Sequence, residues 1–346
     1  MKFQKRIKIN NKWIGGENDP CFIIAEAGSN HNRDLGTAKN LIDAAKDAGV
    51  DAVKFQTYSA ETLYSQKLKV LPGEREKPFN VIKKIEMPRR WIPELAAYSE
   101  KRGLIFLSTP FDKKAVDELS SFVHAFKWAS PELIDRPLLE YAAKKKKPLI
   151  ISTGFYSIKE ISEALEWVEG TGNNKIILLQ CTGLYPTLPE EVNLRAIKTI
   201  EKIFNIPIGL SDHTMDLVIP AVAVALGAKV IEKHFTLSRK LKGPDHPFAL
   251  EPDELKEMVK NIKTIEKSLG SGVKKPVKRE VKKEKLIRRG IVAKKDLKMG
   301  KKIVLEDITT KRVGKGAILP KYYKDILGRK LIRNVKIDQR ITWKMI

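Results

Sequence analysis

KVIEKHFT, residues 229–236, begins as an apolar run of strand length and ends in three ionisable side chains, Glu232, Lys233 and His234. Gly227 separates it from the helix-patterned TMDLVIPAVAVALGA at 214–228, as expected where a helix closes. Seven runs of the same kind precede it. They are CFIIAEAG (21–28), VDAVKFQT (50–57), GLIFLSTP (103–110), HAFKWAS (124–130), PLIISTG (148–154), KIILLQCT (175–182) and IPIGLSD (206–212). Stretches with helical apolar spacing lie between them, such as LGTAKNLIDAAKDAG at 35–49. Eight strands alternating with helices between residues 20 and 270 predict an α/β fold of the (β/α)8 TIM-barrel type. A doubly wound open sheet is the alternative, and the count of eight favours the barrel. Pro131 and Pro137 interrupt the start of the helix after the fourth run.

Two regions depart from the repeat. Residues 58–88 form a long connection after the second strand, at the end of a barrel where long loops shape a site. SGVKKPVKREVKKEK, residues 271–285, is Lys-rich and apolar-poor and reads as a basic linker. From residue 286 the pattern changes to short β-like pieces with turns. The expected organisation is a catalytic barrel over 1–270, the linker, and a small β-rich domain over 286–346.

A net charge of +24 invites a nucleic-acid reading, so its location matters. Residues 271–346 hold 25 Lys and Arg against 7 Asp and Glu, so +18 of the excess sits there. That segment has few aromatics on which bases would stack, and a basic appendage also steers anionic substrates. Nucleic acid is therefore not the expected partner. No apolar run approaches the roughly 18–20 residues of a membrane span. The N-terminal MKFQKRIKIN has no apolar signal core. Two cysteines, Cys21 and Cys181, make no disulfide framework, and a cytoplasmic location is expected.

The C-terminal ends of barrel strands carry active sites. Read in order, those ends hold Glu26, Lys54 with Gln56, Ser108 with Thr109, Lys127 with Ser130, Ser152 with Thr153, Gln180, Ser211 with Asp212 and His213, and Glu232 with His234. Buried charges are costly unless paired or used. Residues i and i+2 of a strand share a face. Lys54 thus aligns with Gln56, Ser211 with His213, and Glu232 with His234, while Lys233 points the other way, toward the helices or the rim. His213 and His234, at matching ends of neighbouring strands, suit a divalent metal. Asp212 is a third ligand candidate whose parity points elsewhere. Lys54, Lys127, Ser152 and Ser211 suit a phosphate. Lys54 as an imine-forming lysine is the other reading. Glu26 is a candidate general acid or base. His31 either orients substrate or caps the turn that holds it.

AEAGSNHN (25–32), VKFQTY (53–58), STPFD (108–112), ISTG (151–154), GLSDHT (209–214) and IEKHFTL (231–237), followed by GPDH (243–246), resemble the sialic acid synthases. RGIVAKKDLKMG (289–300) and KRVGKGA (311–317) resemble that family's C-terminal SAF, or antifreeze-like, domain. The resemblance runs in order through nearly the whole chain. It implies condensation of phosphoenolpyruvate with N-acetylmannosamine or a related N-acetylated amino sugar. Legionaminic acid, pseudaminic acid and N-acylneuraminate-9-phosphate synthases share that chemistry with different acceptors. Selectivity is expected to rest within residues 58–88 and 180–190.

By the same resemblance, His213 and His234 match ligands for a divalent ion, usually manganese, with magnesium or cobalt as alternatives. Lys54, Thr109, Lys127, Ser152 and Ser211 match positions around phosphoenolpyruvate, Ser130 beside Lys127 is a further substrate-binding candidate, and Glu26 matches a catalytic glutamate. Gln56, Tyr185, Glu232 and Asp245 match positions lining the sugar site. Arg312 matches an arginine that the SAF domain of the second subunit of a homodimer contributes. Val313 stands where proline usually follows that arginine, which bears on the shape of the loop and leaves its charge.

Overall fold

A short antiparallel hairpin, β1 (Ile7–Ile9) and β2 (Lys12–Ile14), precedes the barrel, where the sequence reading assigns no strand. Its two-residue turn is Asn10–Asn11, with Asn10 in the left-handed region at φ 52°. Asparagine tolerates that conformation better than most residues. Ile7, Ile9 and Ile14 are fully buried in a cluster with Phe22, Ile24 and Val230 from the strands that follow. The hairpin thus plugs the end of the barrel opposite the strand C-termini. The computed structural model describes residues 3–70 and 76–346.

The eight expected strands are β3 (Phe22–Gly28), β4 (Ala52–Thr57), β5 (Ile105–Pro110), β6 (Phe126–Trp128), β7 (Leu149–Ser152), β8 (Ile176–Cys181), β9 (Ile208–Asp212) and β10 (Val230–His234). They form one parallel sheet in the order β5-β4-β3-β10-β9-β8-β7-β6. No ladder among the described residues joins β5 to β6, but the two strands lie side by side, so the ring is a nearly closed TIM-type barrel. Pairing β10 with β3 brings the last strand against the first, which an open doubly wound sheet does not do.

Alternation sets two cores. Inward residues of the lower barrel, such as Ile24, Ala52, Leu107, Ile150 and Leu179, pack with the hairpin. Outward residues, such as Ile23, Val53, Phe106, Ile151 and Ile231, pack beneath the helices. The helices begin and end where the sequence signals them. Asp34 caps Leu35–Ala48 by accepting from Thr37 N, and Gly49 closes it at φ 81°. After β6 the two prolines divide the connection into a 3-10 turn, Ser130–Ile134, and a helix, Arg136–Lys144. The long loop after β4 carries two helical pieces, Ala60–Leu63 and Pro78–Ile85; residues 71–75 of that stretch lie outside the described residues.

The chain divides into two compact units, Met1–Gly270 and Ser271–Ile346. In the second, the stretch read as a linker holds the start of a helix, Lys278–Ile287. Strands β11 (Arg289–Ala293) and β12 (Ile308–Arg312) pair antiparallel over a core that includes Ile291, Leu297, Ile303, Ile318 and Ile341. Among the described residues no helix is long and apolar enough to cross a membrane.

Candidate active site

The inward side chains change character at the upper ends of the strands. Glu26 from β3, Lys54 from β4, Lys127 from β6 and Glu232 from β10 are all between 1% and 4% exposed. Lys54 Nζ lies 2.9 Å from Glu26 Oε1 and 3.7 Å from Glu232 Oε2, and donates to Thr109 Oγ1 at 3.2 Å. Lys127 Nζ donates to Ser152 Oγ at 2.7 Å and lies 3.4 Å from Glu232 Oε1. Ser211 Oγ donates to the same Glu232 oxygen at 2.9 Å, and Gln56 Nε2 to Glu26 Oε1 at 2.7 Å. Glu232 therefore bridges two ammonium groups. With Ser130 and Cys181 these residues surround a chamber of about 110 Å³.

Burial opposes charge at all of these groups, and the outcomes differ by neighbour. Burial favours the protonated Glu232 carboxyl, but Lys127, Lys54 and the Ser211 hydroxyl outweigh it and hold its pKa well below the usual range. Lys54, between two carboxylates, ends raised despite its burial. Burial lowers Lys127, which has one carboxylate and the like charge of Lys54 beside it. Lys54 thus stays an ammonium, and an imine-forming amine needs the opposite.

The imidazoles stand above this chamber. Their ring centroids are 5.5 Å apart. His213 Nδ1 is 2.7 Å from the carbonyl oxygen of Thr182, which makes Nδ1 the donor and leaves Nε2 with a free lone pair. Burial, and then the neighbouring His234, lower the His213 pKa to about 3, so the ring is neutral at pH 7. His234 Nδ1 is buried without a hydrogen-bond partner. A neutral imidazole with a fixed tautomer beside an orphaned ring nitrogen fits a divalent cation. Among the described residues no third His, Cys, Asp or Glu joins them as a ligand set. Asp212 turns outward to pair with Lys233. An ion held by these two imidazoles would take its other ligands from water or substrate.

Tyr185 stacks on His213 at 4.0 Å between centroids, and Phe248 packs 5.2 Å from His234. Beyond them opens a second, wider cavity of about 700 Å³. Its lining is largely apolar, with Leu63, Val81, Ile82 and Ile85 from the long loop after β4 facing Pro247 and Phe248. Asp245 reaches it from the other side, and accepts from Ser29 N at 3.0 Å and Ser29 Oγ at 2.9 Å. Gln56, Tyr185 and His234 line both cavities.

The barrel thus gathers Glu26, Lys54, Gln56, Thr109, Lys127, Ser130, Ser152, Tyr185, Ser211, His213, Glu232, His234 and, at the outer cavity, Asp245. Arg312 belongs to the second unit, exposed at the end of β12. Three expected mouth groups face elsewhere. Gln180 points outward and donates to Val192 O at 3.1 Å, while Cys181 takes the inward position. Ser108 pairs with Thr57 at 2.8 Å, and Thr153 donates to Leu179 O at 2.9 Å. His31 caps its turn, accepting from Arg33 N at 2.9 Å. Phe155, which the sequence reading passes over, also lines the inner chamber, on a left-handed backbone at φ 72°. A Cβ on Gly183 would fall 2.0 Å from its ring, so glycine there makes room for it.

The NeuB family model matches residues 41–274, which carry most of this site. The chain belongs to the NeuB family. The SAF domain model matches residues 288–346. An uncharacterized protein from Methanocaldococcus jannaschii is 46% identical, over 98% of both chains. The N,N'-diacetyllegionaminic acid synthase of Legionella pneumophila is 39% identical, also over 98% of both. The crystal structure of an N-acetylneuraminic acid synthetase from Leptospira borgpetersenii matches with a TM-score of 0.74 and 37% identity, over 82% of this chain and 96% of that one. The chain is accordingly an enzyme of the NeuB type, a barrel synthase with a C-terminal SAF domain.

Proposed function

We propose that the enzyme condenses phosphoenolpyruvate with the open-chain form of an N-acetylated amino hexose to give a nonulosonic acid and phosphate. One observation carries this reading. A small chamber with two buried ammoniums and a set of hydroxyls opens, past two imidazoles, into a wide apolar bowl. Lys54, Lys127, Thr109, Ser130, Ser152 and Ser211 are the groups suited to the phosphate and carboxylate of phosphoenolpyruvate. His213 and His234 would hold a divalent ion, manganese first and magnesium or cobalt otherwise, and it would supply positive charge against the sugar's aldehyde oxygen.

The C3 carbon of phosphoenolpyruvate bonds to the aldehyde carbon, and the aldehyde oxygen takes up a proton to become a hydroxyl. Electron deficiency develops at C2, where water adds. Glu26 is suited to take the proton from that water, because its Oε2 is buried with no other hydrogen-bond partner. The adduct then expels phosphate with cleavage of the C2–O bond, leaving the keto group. Lys54 and Lys127 bear the charge that leaves with the phosphate.

The bowl bears on the acceptor. Among the described residues that line it, none is Lys or Arg. A 6-phosphate would find no counter-charge in that lining, whereas methyl and acetamido groups would find Val81, Ile82, Ile85 and Phe248. This favours a 2,4-diacetamido-2,4,6-trideoxyhexose, as the Legionella relative's name suggests, over N-acetylmannosamine or its 6-phosphate. Arg312, exposed and without an ion-pair or hydrogen-bond partner among the described residues, is available to reach an acceptor in the barrel of a second copy. Such a biosynthetic enzyme would work in the cytoplasm. The test supplies phosphoenolpyruvate, Mn²⁺ and each acceptor in turn and follows phosphate. Release should be fastest with the trideoxy sugar; no release with any N-acetylated hexose would defeat the proposal.

A further inference from the structure

Lys233 is the member of KVIEKHFT that faces away from the mouth. Its side chain and that of Asp212, its Cα partner on β9, are each 1% exposed. Lys233 Nζ donates to Asp212 Oδ2 at 2.5 Å and to the carbonyl oxygen of Thr214. Thr214 Oγ1 and the carbonyl oxygen of Asp216 each lie 3.3 Å away. Asp212 in turn accepts from Thr214 N at 3.0 Å and Thr214 Oγ1 at 3.1 Å. Residues 212 and 214 are thus both fastened to one ammonium, and the residue between them is His213.

The same residue is held from the opposite side. Thr187 N donates to the His213 carbonyl at 3.0 Å, and Thr182 O accepts from its ring at 2.7 Å. A lysine is an unusual choice for packing alone. Ile231, two residues earlier on the same face of β10, is fully buried in the apolar core between strands and helices. An apolar side chain at 233 would fill that space without burying a charge, but it would not tie both flanks of His213.

We propose that Lys233 is a positioning residue, which fixes the backbone on either side of His213 and so aims its imidazole at the cation. The inference rests on the reading that His213 binds a divalent ion. The test uses the full-length protein and measures Mn²⁺ affinity by electron paramagnetic resonance. Phosphoenolpyruvate affinity without metal is measured by calorimetry, and thermal midpoints are followed alongside. The double variant Asp212→Asn/Lys233→Met removes both buried charges and the tether together. Its Mn²⁺ affinity should fall about tenfold or more, the loss typical when a ligand's supporting partner is removed. Its phosphoenolpyruvate affinity should stay within about twofold, because Lys54, Thr109, Lys127 and Ser152 stand on other elements, and Ser211 and Glu232 bond to each other on the chamber side, away from the tether. Mn²⁺ affinity unchanged in the folded variant, or both affinities falling in parallel, would overturn the proposal. If that variant does not fold, Thr214→Val removes one leg of the tether and should weaken Mn²⁺ by about threefold or more; an unchanged affinity there overturns it equally. Wild-type protein that binds no Mn²⁺, or a His213→Ala protein that binds it as well as wild type, would defeat the metal reading itself, and the inference with it.

Discussion

Replacing Glu232 by glutamine keeps the shape of the inner chamber and removes the charge that bridges its two lysines. Lys54 retains Glu26 at 2.9 Å. Lys127 is left with the Ser152 hydroxyl at 2.7 Å, the Trp128 carbonyl at 3.0 Å and the like charge of Lys54. Removing one partner of a buried ion pair typically costs about 3–5 kcal/mol. The ceiling is the cost of stripping the Lys127 proton, about 5 kcal/mol at pH 7 for an amine whose ordinary pKa is about 10.4. That ceiling gives the effect a pH signature. In the variant the folded state sheds the Lys127 proton while the unfolded chain keeps it, so the unfolded state binds more protons and stability rises with pH. The gap between variant and wild type should shrink to less than about 1 kcal/mol by pH 10. It should shrink on the acid side too. Glu232 is held down in the folded protein, so its contribution is present above the usual carboxylate range and is lost as pH falls through its folded pKa of about 2. Urea unfolding followed by tryptophan fluorescence reads the barrel, which holds Trp13, Trp91, Trp128 and Trp167. Inorganic phosphate should stabilise the variant more than wild type, because an anion can take the place of the lost carboxylate. A gap that is the same at pH 7 and pH 10, with no added response to phosphate, would refute the bridging role of Glu232.

Other tests follow from the same geometry. Chelation should abolish turnover and added Mn²⁺ restore it, since two imidazoles alone hold an ion weakly; His234→Ala should lose at least about a hundredfold in kcat/KM. Full turnover in excess chelator would contradict the metal reading. Borohydride with pyruvate or phosphoenolpyruvate should leave the mass of Lys54 unchanged, because the carboxylates beside it keep it charged; an adduct on Lys54 would revive imine chemistry. Ile9→Ala should cost about 2–5 kcal/mol of stability, as a fully buried core truncation does, with kcat of the folded enzyme unchanged. A loss of kcat at full stability would mean that the hairpin does more than plug the barrel.

Much of this was legible because barrel strands alternate strictly. Parity alone put Lys54 with Gln56 and Glu232 with His234, and sent Lys233 outward. Parity also explains the errors. Gln180 and Ser108 sit one residue off the inward register, so counting polar residues at strand ends included them wrongly. The β1–β2 hairpin was hidden because Ile7 and Ile9 alternate with lysine and arginine in a segment too short to stand out, although the Asn10–Asn11 pair is a turn signal. Nothing in a linear pattern foretells that Glu232 serves two lysines from different strands, or that Phe155 folds over Gly183. Those are tertiary contacts between residues far apart in the chain. Most of the helix Lys278–Ile287 falls in the stretch that reads as linker because it buries almost nothing, and a solvated helix lacks the apolar stripe by which helices are recognised.

The reaction class itself is tested most directly with phosphoenolpyruvate carrying ¹⁸O in the oxygen that bridges C2 and phosphorus. The enzyme, Mn²⁺ and the trideoxy acceptor are added, and the released phosphate is weighed by mass spectrometry. Water addition at C2 followed by C–O cleavage predicts that every phosphate carries the label. Label retained in the sugar acid would mean attack at phosphorus, and would contradict the chemistry assigned to the chamber of Glu26, Lys54 and Lys127.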